Sequence, residues 1–174
     1  MAALDTQPRY IYKIVPSSSP IREPLPERLP VSELDQKSGF VHLSMAHQVA
    51  NTLNTFFKEE PLVYLLRIEY ATVISNIRWE SPDGKVCGPR PGEGLFPHLY
   101  NGLKLGRDEV ESIAIWQNEG GWEKALNGAK PWLNETNSQV QTCSGIEKRD
   151  TEEICSKHVS RIKNVHHALT TLVP

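Results

Sequence analysis

The chain has 174 residues, of which 39% are hydrophobic and 23% charged, a composition typical of one folded domain and not of a disordered chain. Lys and Arg total 19 against 21 Asp and Glu, and the formal charge of -2 excludes the bulk positive field used in non-specific nucleic-acid binding. No apolar run approaches the ~18 residues of a membrane span, and the first residues lack a secretory-signal pattern. These properties predict a soluble cytoplasmic protein that does not contact membranes.

The first thirty residues predict one strand and one long loop. Residues 10–15, "YIYKIV", alternate and are rich in β-branched and aromatic side chains, which favours a strand. Residues 16–30 contain five of the thirteen prolines, which prevents a regular helix or a central strand over most of this segment. We therefore expect an extended loop that other parts of the molecule must hold in place.

A β–turn–α unit follows at residues 39–57. The stretch "GFVHLS" predicts a short strand that carries Phe40, His42 and Ser44 on one face. Ser44 then has the character of a helix N-cap, because apolar side chains repeat at helical spacing after it. The predicted buried face of that helix consists of Val49, Leu53, Phe56 and Phe57.

Three further strands are predicted in the middle of the chain. The most apolar stretch, residues 61–70, is expected to form a buried strand in the middle of a sheet. Residues 76–81, "NIRWES", predict a short strand, and the alternation over 109–116 predicts a strand that closes the sheet. Residues 82–94 are rich in Gly and Pro and predict a flexible loop.

The last part of the chain is predicted to leave the sheet. Residues 120–127, "GGWEKALN", are expected to form a short helix at best, and the polar stretch 134–150 predicts a linker. Residues 151–174 begin with helix-start signals and repeat apolar positions, which predicts an amphipathic helix able to form a homodimer. The predicted organisation is a tail (1–9), one α+β domain with a central cleft (10–133), the linker and this C-terminal helix.

Two histidines lie in strand-like segments that are otherwise apolar, and each is followed two residues later by a hydroxyl. His42 precedes Ser44 in this way, and His98 precedes Tyr100 in "LFPHLY". Period-two spacing puts each pair on one face of its strand. Either both faces line one cleft, where histidine suits proton transfer near neutral pH, or each histidine is half-buried and bonded to the backbone.

Other polar residues could support the histidines. Asp35, in "SELDQKSGF", is either a turn residue or a carboxylate that orients His42. Glu93 and Arg90 lie in the Gly- and Pro-rich loop, where a carboxylate could close over a ligand or stay solvated. The three cysteines are widely spaced and show no metal-ligand pattern, so we expect neither a disulfide framework nor a metal cofactor.

The motifs also carry a family resemblance. "SELDQKSGFVHLS", "LVYLLRIE", "RWES" and "LFPHLY" follow each other as in domain-of-unknown-function family number 952, which the chain resembles over about residues 10–116. Two segments depart from the family pattern: a proline-rich loop stands at 16–30 in place of a short helix, and the loop at 80–95 is longer than usual. That family is similar in fold to ADP-ribosyltransferases, most visibly to their RNA 2'-phosphotransferase branch.

The resemblance implies a small, twisted, mixed or antiparallel split sheet of the ADP-ribosyltransferase-like type, with a cleft able to hold a dinucleotide such as NAD. It implies Lys13 at the first-strand position that contacts NAD, and Glu93 near the place of a glutamate that binds a ribose hydroxyl. His42 and Ser44 would lie on the second core strand, and Tyr100 would stack against a flat ring. The candidate catalytic residues are His42, His98, Tyr100 and Glu93, and the candidate ligand-binding residues are Lys13, Asp35, Phe40, Ser44, Arg90 and Phe96.

Three functions are consistent with these patterns. The first is an enzyme that transfers a group from NAD or a related nucleotide. The second is a cofactor-independent isomerase, cyclase or hydrolase of a small organic molecule, with His42 and His98 as acid and base. The third is a non-catalytic module that binds a ligand or a partner. The altered loops at the expected cleft entrance favour the second.

Overall fold

The computed structural model describes residues 7–133, so the predicted linker and the predicted C-terminal helix lie outside the described residues. The described chain is a small α+β structure with two four-stranded antiparallel sheets and a few helices. Among residues 7–133, none of the helices combines the length and the apolar character that a membrane crossing requires.

The elements follow each other in a mixed order along the chain. They are β1 (Tyr10–Pro16), α1 (Glu33–Ser38), β2 (Val41–His42), β3 (Ser44–Met45), α2 (Ala46–Phe56), β4 (Leu62–Glu69), α3 (Tyr70–Val73), a 3-10 turn (Ile74–Asn76), β5 (Ile77–Glu80), β6 (Cys87–Gly88), β7 (Phe96–Leu99), β8 (Val110–Gln117) and α4 (Glu123–Leu133). The first sheet has the order β3-β1-β4-β8, and the second has the order β2-β7-β5-β6. The strands predicted at 10–15, 61–70, 76–81 and 109–116 are confirmed, and β4 pairs on both sides.

Two apolar clusters place the sheets and helices in layers. One cluster joins the two sheets, with Ile11 of β1 packed in the same core as Val41 of β2 and Leu99 of β7. The other joins the opposite face of the first sheet, including Tyr12, to α2 and α4. Because neighbouring residues of a strand point to opposite faces, β1 contributes to both clusters and the first sheet is the middle layer.

The segment 39–44 does not form the single strand that its alternation predicts. His42 pairs with β7 in the second sheet, whereas Ser44 pairs with Tyr12 of β1 in the first sheet. Leu43 lies between the two short strands and is buried in the core that joins the sheets. The prediction that His42 and Ser44 share one face is therefore wrong, because the chain passes from one sheet to the other between them.

The helix predictions also need correction. Met45 is the N-cap of α2 in place of Ser44, and its backbone N–H donates to Gln48 Oε1 at 2.9 Å. Phe56, predicted on the buried face, is 72% exposed. The short helix predicted at 120–127 is the eleven-residue α4, because burial of its apolar side chains against the first sheet overrides the weak helix propensity of its Gly and Pro residues.

The proline-rich loop predicted at 16–30 is confirmed, and backbone contacts hold it in place. The Leu29 N–H donates to the Leu105 carbonyl at 2.7 Å, and the Arg107 N–H donates to the Pro26 carbonyl at 3.0 Å. Between these bonds, a Cβ at Gly106 would lie 2.1 Å from the carbonyl oxygen of Glu27. Only glycine at this position allows the two segments to approach so closely.

We predict that Gly106→Ala lowers the free energy of unfolding by about 1–3 kcal/mol, because the added methyl group meets main chain that must move. Chemical denaturation of the variant and the wild type measures the difference. Gly128→Ala is the matched control, since a Cβ at this position in α4 meets nothing within 4 Å and alanine favours a helix. Equal stability of Gly106→Ala and the wild type would contradict the proposed close approach.

Candidate functional site

The two histidines are direct cross-strand neighbours. His42 of β2 is the register partner of His98 of β7, and their ring centroids are 5.1 Å apart. Val41 and Leu99, the adjacent residues on the two strands, point into the core between the sheets. Because side chains alternate along a strand, the imidazoles lie on the opposite, outward face of the second sheet.

Asp35, in the first turn of α1, binds His42. Its Oδ1 accepts hydrogen bonds from the His42 backbone N–H at 3.0 Å and from Nδ1 of the ring at 2.8 Å. Its Oδ2 accepts from Lys13 Nζ at 2.5 Å. Ser32 caps the first turn of α1 through a hydrogen bond from the Asp35 N–H, and Gly39 ends the helix in a left-handed conformation. The short helix therefore presents one buried carboxylate to two basic side chains.

The charges of this group are interdependent. Burial raises the pKa of the Asp35 carboxyl, but hydrogen bonds from His42 and the charge of Lys13 outweigh that effect and hold the pKa well below its usual range. Burial also lowers the pKa of the Lys13 amine below its ordinary value, although Asp35 opposes this change. Asp35 is thus an anion at neutral pH, and its charge supports both basic partners.

Glu80 of β5 plays the corresponding part for His98. Its Oε2 accepts hydrogen bonds from His98 Nδ1 at 3.0 Å and from the Tyr100 hydroxyl at 2.8 Å. The Cys87 thiol donates to Oε1 at 3.3 Å. Both the Glu80 and the His98 side chains are almost fully buried. A second carboxylate–imidazole pair therefore lies beside the first.

The burial of this second pair shifts its protonation. Burial lowers the pKa of His98 below its ordinary value of 6.5, and Glu80 only partly restores it. For Glu80, burial acts to raise the pKa, but the hydrogen bonds from Tyr100, His98 and Cys87 outweigh it and lower the pKa. Burial and the bond to Glu80 raise the pKa of Tyr100 to about 12. At neutral pH the group is thus a carboxylate that accepts from a neutral imidazole and a neutral phenol.

Phe40 covers the histidines. Its ring stacks on His98 with a centroid distance of 4.1 Å, and it lies 4.6 Å from His42 and 5.1 Å from Tyr100. Gly84, in the loop that follows β5, also lies against the ring, where an added Cβ would be 3.6 Å from Phe40. The ring is therefore enclosed between His98 and the loop that follows β5.

The remaining candidate residues do not contact the imidazoles in the hydrogen bonds and ring contacts described for the site. Ser44 is buried in the first sheet, where its hydroxyl lies 3.4 Å from Thr52 Oγ1. Glu93 and Arg90 are exposed residues of the loop before β7, and the carboxylates that bind the histidines are Asp35 and Glu80 instead. Phe96 begins β7 as the register partner of Glu80.

The sequence interpretation missed Glu80. Its motif "RWES" predicted a short strand, and Trp79 packs in the core between the sheets as expected for one face of that strand. Glu80 then faces outward with Arg78, whose guanidinium lies 4.2 Å from the centroid of the Tyr100 ring. The usable signal was a carboxylate in a strand next to a core tryptophan, but the register of β5 against β7 was needed to pair it with His98.

The arrangement is suited to proton transfer. In each histidine Nδ1 is bound by a carboxylate, which fixes the tautomer and leaves Nε2 as the nitrogen able to exchange a proton with another molecule. His42 is the more accessible, with 20% of its side chain exposed against 1% for His98. Among residues 7–133, no group of three or more His, Cys, Asp or Glu residues has the arrangement of a metal site.

A cavity of about 270 Å³ adjoins the site on the other side of Asp35. Lys13 and Asp35 belong to its lining, together with apolar residues of β1 and of the proline-rich loop, whereas the imidazoles lie on the outward face of the second sheet. Asp35 therefore contacts His42 with one oxygen and the cavity-lining Lys13 with the other.

We predict that Asp35→Asn lowers the free energy of unfolding by about 3–5 kcal/mol, because it leaves the Lys13 ammonium, 12% exposed, without its counter-charge. The double variant Asp35→Asn/Lys13→Met should recover much of the loss in urea denaturation. Glu33→Gln, at the exposed pair with Lys37, is the control and should change stability by less than about 0.5 kcal/mol. An Asp35→Asn variant as stable as this control would argue against a buried ion pair.

We predict that Glu80→Gln lowers the pKa of His98 further, because burial persists while the negative charge that favours the imidazolium is removed. A pH titration of the imidazole resonances by NMR measures this change, with Asp83→Asn in the exposed loop as the control. In the wild type, the unfolded chain binds this proton first as the pH falls, so His98 stabilises the fold above about pH 6.5 and that stability is lost on acidification. A His98 pKa that rises in Glu80→Gln would contradict the assignment.

The comparisons with known proteins agree with this architecture. No curated protein matches the chain. The crystal structure of protein CC0527 from Caulobacter crescentus is 24% identical, with a TM-score of 0.50, and the match covers 68% of this chain and 98% of that one. The crystal structure of a CC0527 double mutant gives the same values. The solution NMR structure of CC0527, also 24% identical, has a TM-score of 0.46, and the match covers 68% of this chain and 96% of that one. The two crystal structures show a fold similar to that of this chain.

The family comparison is more specific than the fold. The model of a family described as protein of unknown function, DUF952, matches residues 25–113, just over half of the chain. This range contains Asp35, His42, Glu80 and His98, and thus both carboxylate–imidazole pairs. The chain therefore belongs to the DUF952 family.

Proposed function

We propose that the protein is a cofactor-independent enzyme that converts a small organic molecule by general acid–base chemistry at His42 and His98. The observation that carries the proposal is the pair of carboxylate-bound imidazoles, whose ring centroids are 5.1 Å apart on neighbouring strands. Two proton-exchanging groups at this separation can act on adjacent atoms of one bound substrate.

The environments of the two histidines support different roles. Asp35 stabilises the positive charge that His42 gains when it takes a proton, and the partial exposure of His42 allows contact with substrate. His98 stays neutral because burial lowers its pKa, so its ring can accept a proton or a hydrogen bond. Substrate can reach His98 only after the Phe40 ring moves away from it.

Group transfer from NAD, as in the ADP-ribosyltransferase-like enzymes, has less support. That reaction would need an accessible carboxylate beside the histidines to hold the sugar as its glycosidic bond breaks. Glu93, the residue expected from the resemblance, is exposed in the loop before β7, and Glu80 is buried with three donors already bound to it. In acid–base catalysis, Asp35 and Glu80 would keep the hydrogen bonds that they make with His42 and His98.

The test is turnover of small esters, lactones and enolisable ketones by the wild type and by His42→Asn. Asparagine can still donate a hydrogen bond to Asp35 but cannot exchange a proton, so we expect kcat to fall by about 10²–10⁴-fold with folding retained. His47→Asn, at an exposed position of α2, is the control and should keep full activity. A loss of less than about tenfold in His42→Asn would contradict the role of His42. Binding of these compounds without any turnover would favour the non-catalytic module instead.

A further inference from the structure

The cavity of about 270 Å³ has a polar end and apolar walls. Its polar end is the ion pair of Lys13 and Asp35, and its walls include Ile21 and Leu29 of the proline-rich loop and Leu105. The volume is slightly below the ~300–1,000 Å³ range of ordinary small-molecule pockets. A small and mainly apolar molecule therefore fits this cavity best.

Lys13 offers hydrogen bonds at the polar end. An ammonium group has three N–H donors, and within residues 7–133 one hydrogen bond of Lys13 is seen, to Asp35. Asp35, in contrast, already accepts from the Lys13 ammonium and from two groups of His42. The cavity therefore presents donors to a ligand, and a ligand atom that accepts hydrogen bonds is the suitable partner.

The charge balance selects an uncharged acceptor. The Lys13 ammonium and the Asp35 carboxylate neutralise each other, and both are nearly buried. A ligand carboxylate at Lys13 would bring a second negative charge close to Asp35 in an apolar site, which is unfavourable. A carbonyl oxygen can accept from Lys13 without adding charge.

The entrance is apolar as well. Leu34 is 59% exposed and Val31 is 36% exposed, and both line the cavity. Exposed apolar side chains at the mouth of a concave site are typical of ligand-binding surfaces. The cavity is also preformed, because the bond from the Leu29 N–H to the Leu105 carbonyl fixes one wall.

We propose that this cavity is a binding site for a small apolar molecule with an uncharged carbonyl group, whose oxygen accepts a hydrogen bond from Lys13 Nζ. The site is distinct from the outward face where the histidines lie, and the inference does not depend on acid–base catalysis by His42. The two are separable by experiment, because Ile21→Trp changes a cavity wall and none of the residues that bind the histidines.

The test is NMR titration of the isotope-labelled protein with 2-heptanone, and with heptanoate as the charged probe of equal chain length. We expect 2-heptanone to shift the backbone amide resonances of Val15, Ile21 and Leu103, which line the cavity, and to bind more tightly than heptanoate. Lys13→Met should weaken 2-heptanone binding by about ten- to a hundredfold, because it removes a hydrogen bond from a charged donor. Lys37→Met, at an exposed position of α1, is the control and should bind as the wild type does.

A second variant keeps the proposal testable if Lys13→Met does not fold. Ile21→Trp would fill the cavity from the loop side and leave Lys13 unchanged, so we expect it to abolish the shifts caused by 2-heptanone. Tighter binding of heptanoate than of 2-heptanone would overturn the uncharged-carbonyl assignment. Unchanged affinity in Lys13→Met, persistent binding in Ile21→Trp, or no shift of the cavity amides in the wild type would overturn the site itself.

Discussion

The candidate site depends on the buried carboxylate of Asp35. It lies in the first turn of a six-residue helix, and its two oxygens bind basic side chains from both sheets: Lys13 of β1 in the first and His42 of β2 in the second. A buried carboxylate is stable only when its charge is compensated, and here the compensation is also the link between the sheets. The position of the proton-exchanging imidazole is therefore tied to the packing of the fold.

Residues 39–44 connect α1 to both sheets over a short stretch of chain. The chain leaves α1 at Gly39, pairs with β7 through His42, and joins the first sheet at Ser44. Six residues therefore include the end of a helix and one strand of each sheet. Leu43, between the two strands, packs in the core and fixes the position of this segment. The motif "GFVHLS" is the part of the chain where the two sheets are connected.

Much of the fold could be predicted from the sequence, because the spacing of apolar residues along a segment indicates whether it forms a strand and which of its faces are buried. Residues 61–70 are apolar except for Arg67 and Glu69, and residues 62–69 form the central strand β4. The matching motifs of His42 and His98 left open whether the two side chains lie together, and the pairing of β2 with β7 makes them neighbours. The change of sheet at Leu43 was not predictable, since the alternation of "GFVHLS" is the same whether one sheet or two receives it. Glu80 was missed for a related reason, because its partner is set by the register of two strands that are distant in sequence.

The stacked Phe40 ring has a consequence for recognition at the histidine pair. It rests face to face on His98 and touches both His42 and Tyr100, so the protein fills with its own side chain the space that a planar substrate would need. Any such substrate competes with this ring, and its apparent affinity is the intrinsic affinity multiplied by the fraction of molecules in which the ring is displaced. A smaller side chain at this position would relieve that competition and strengthen substrate binding without adding a single new contact.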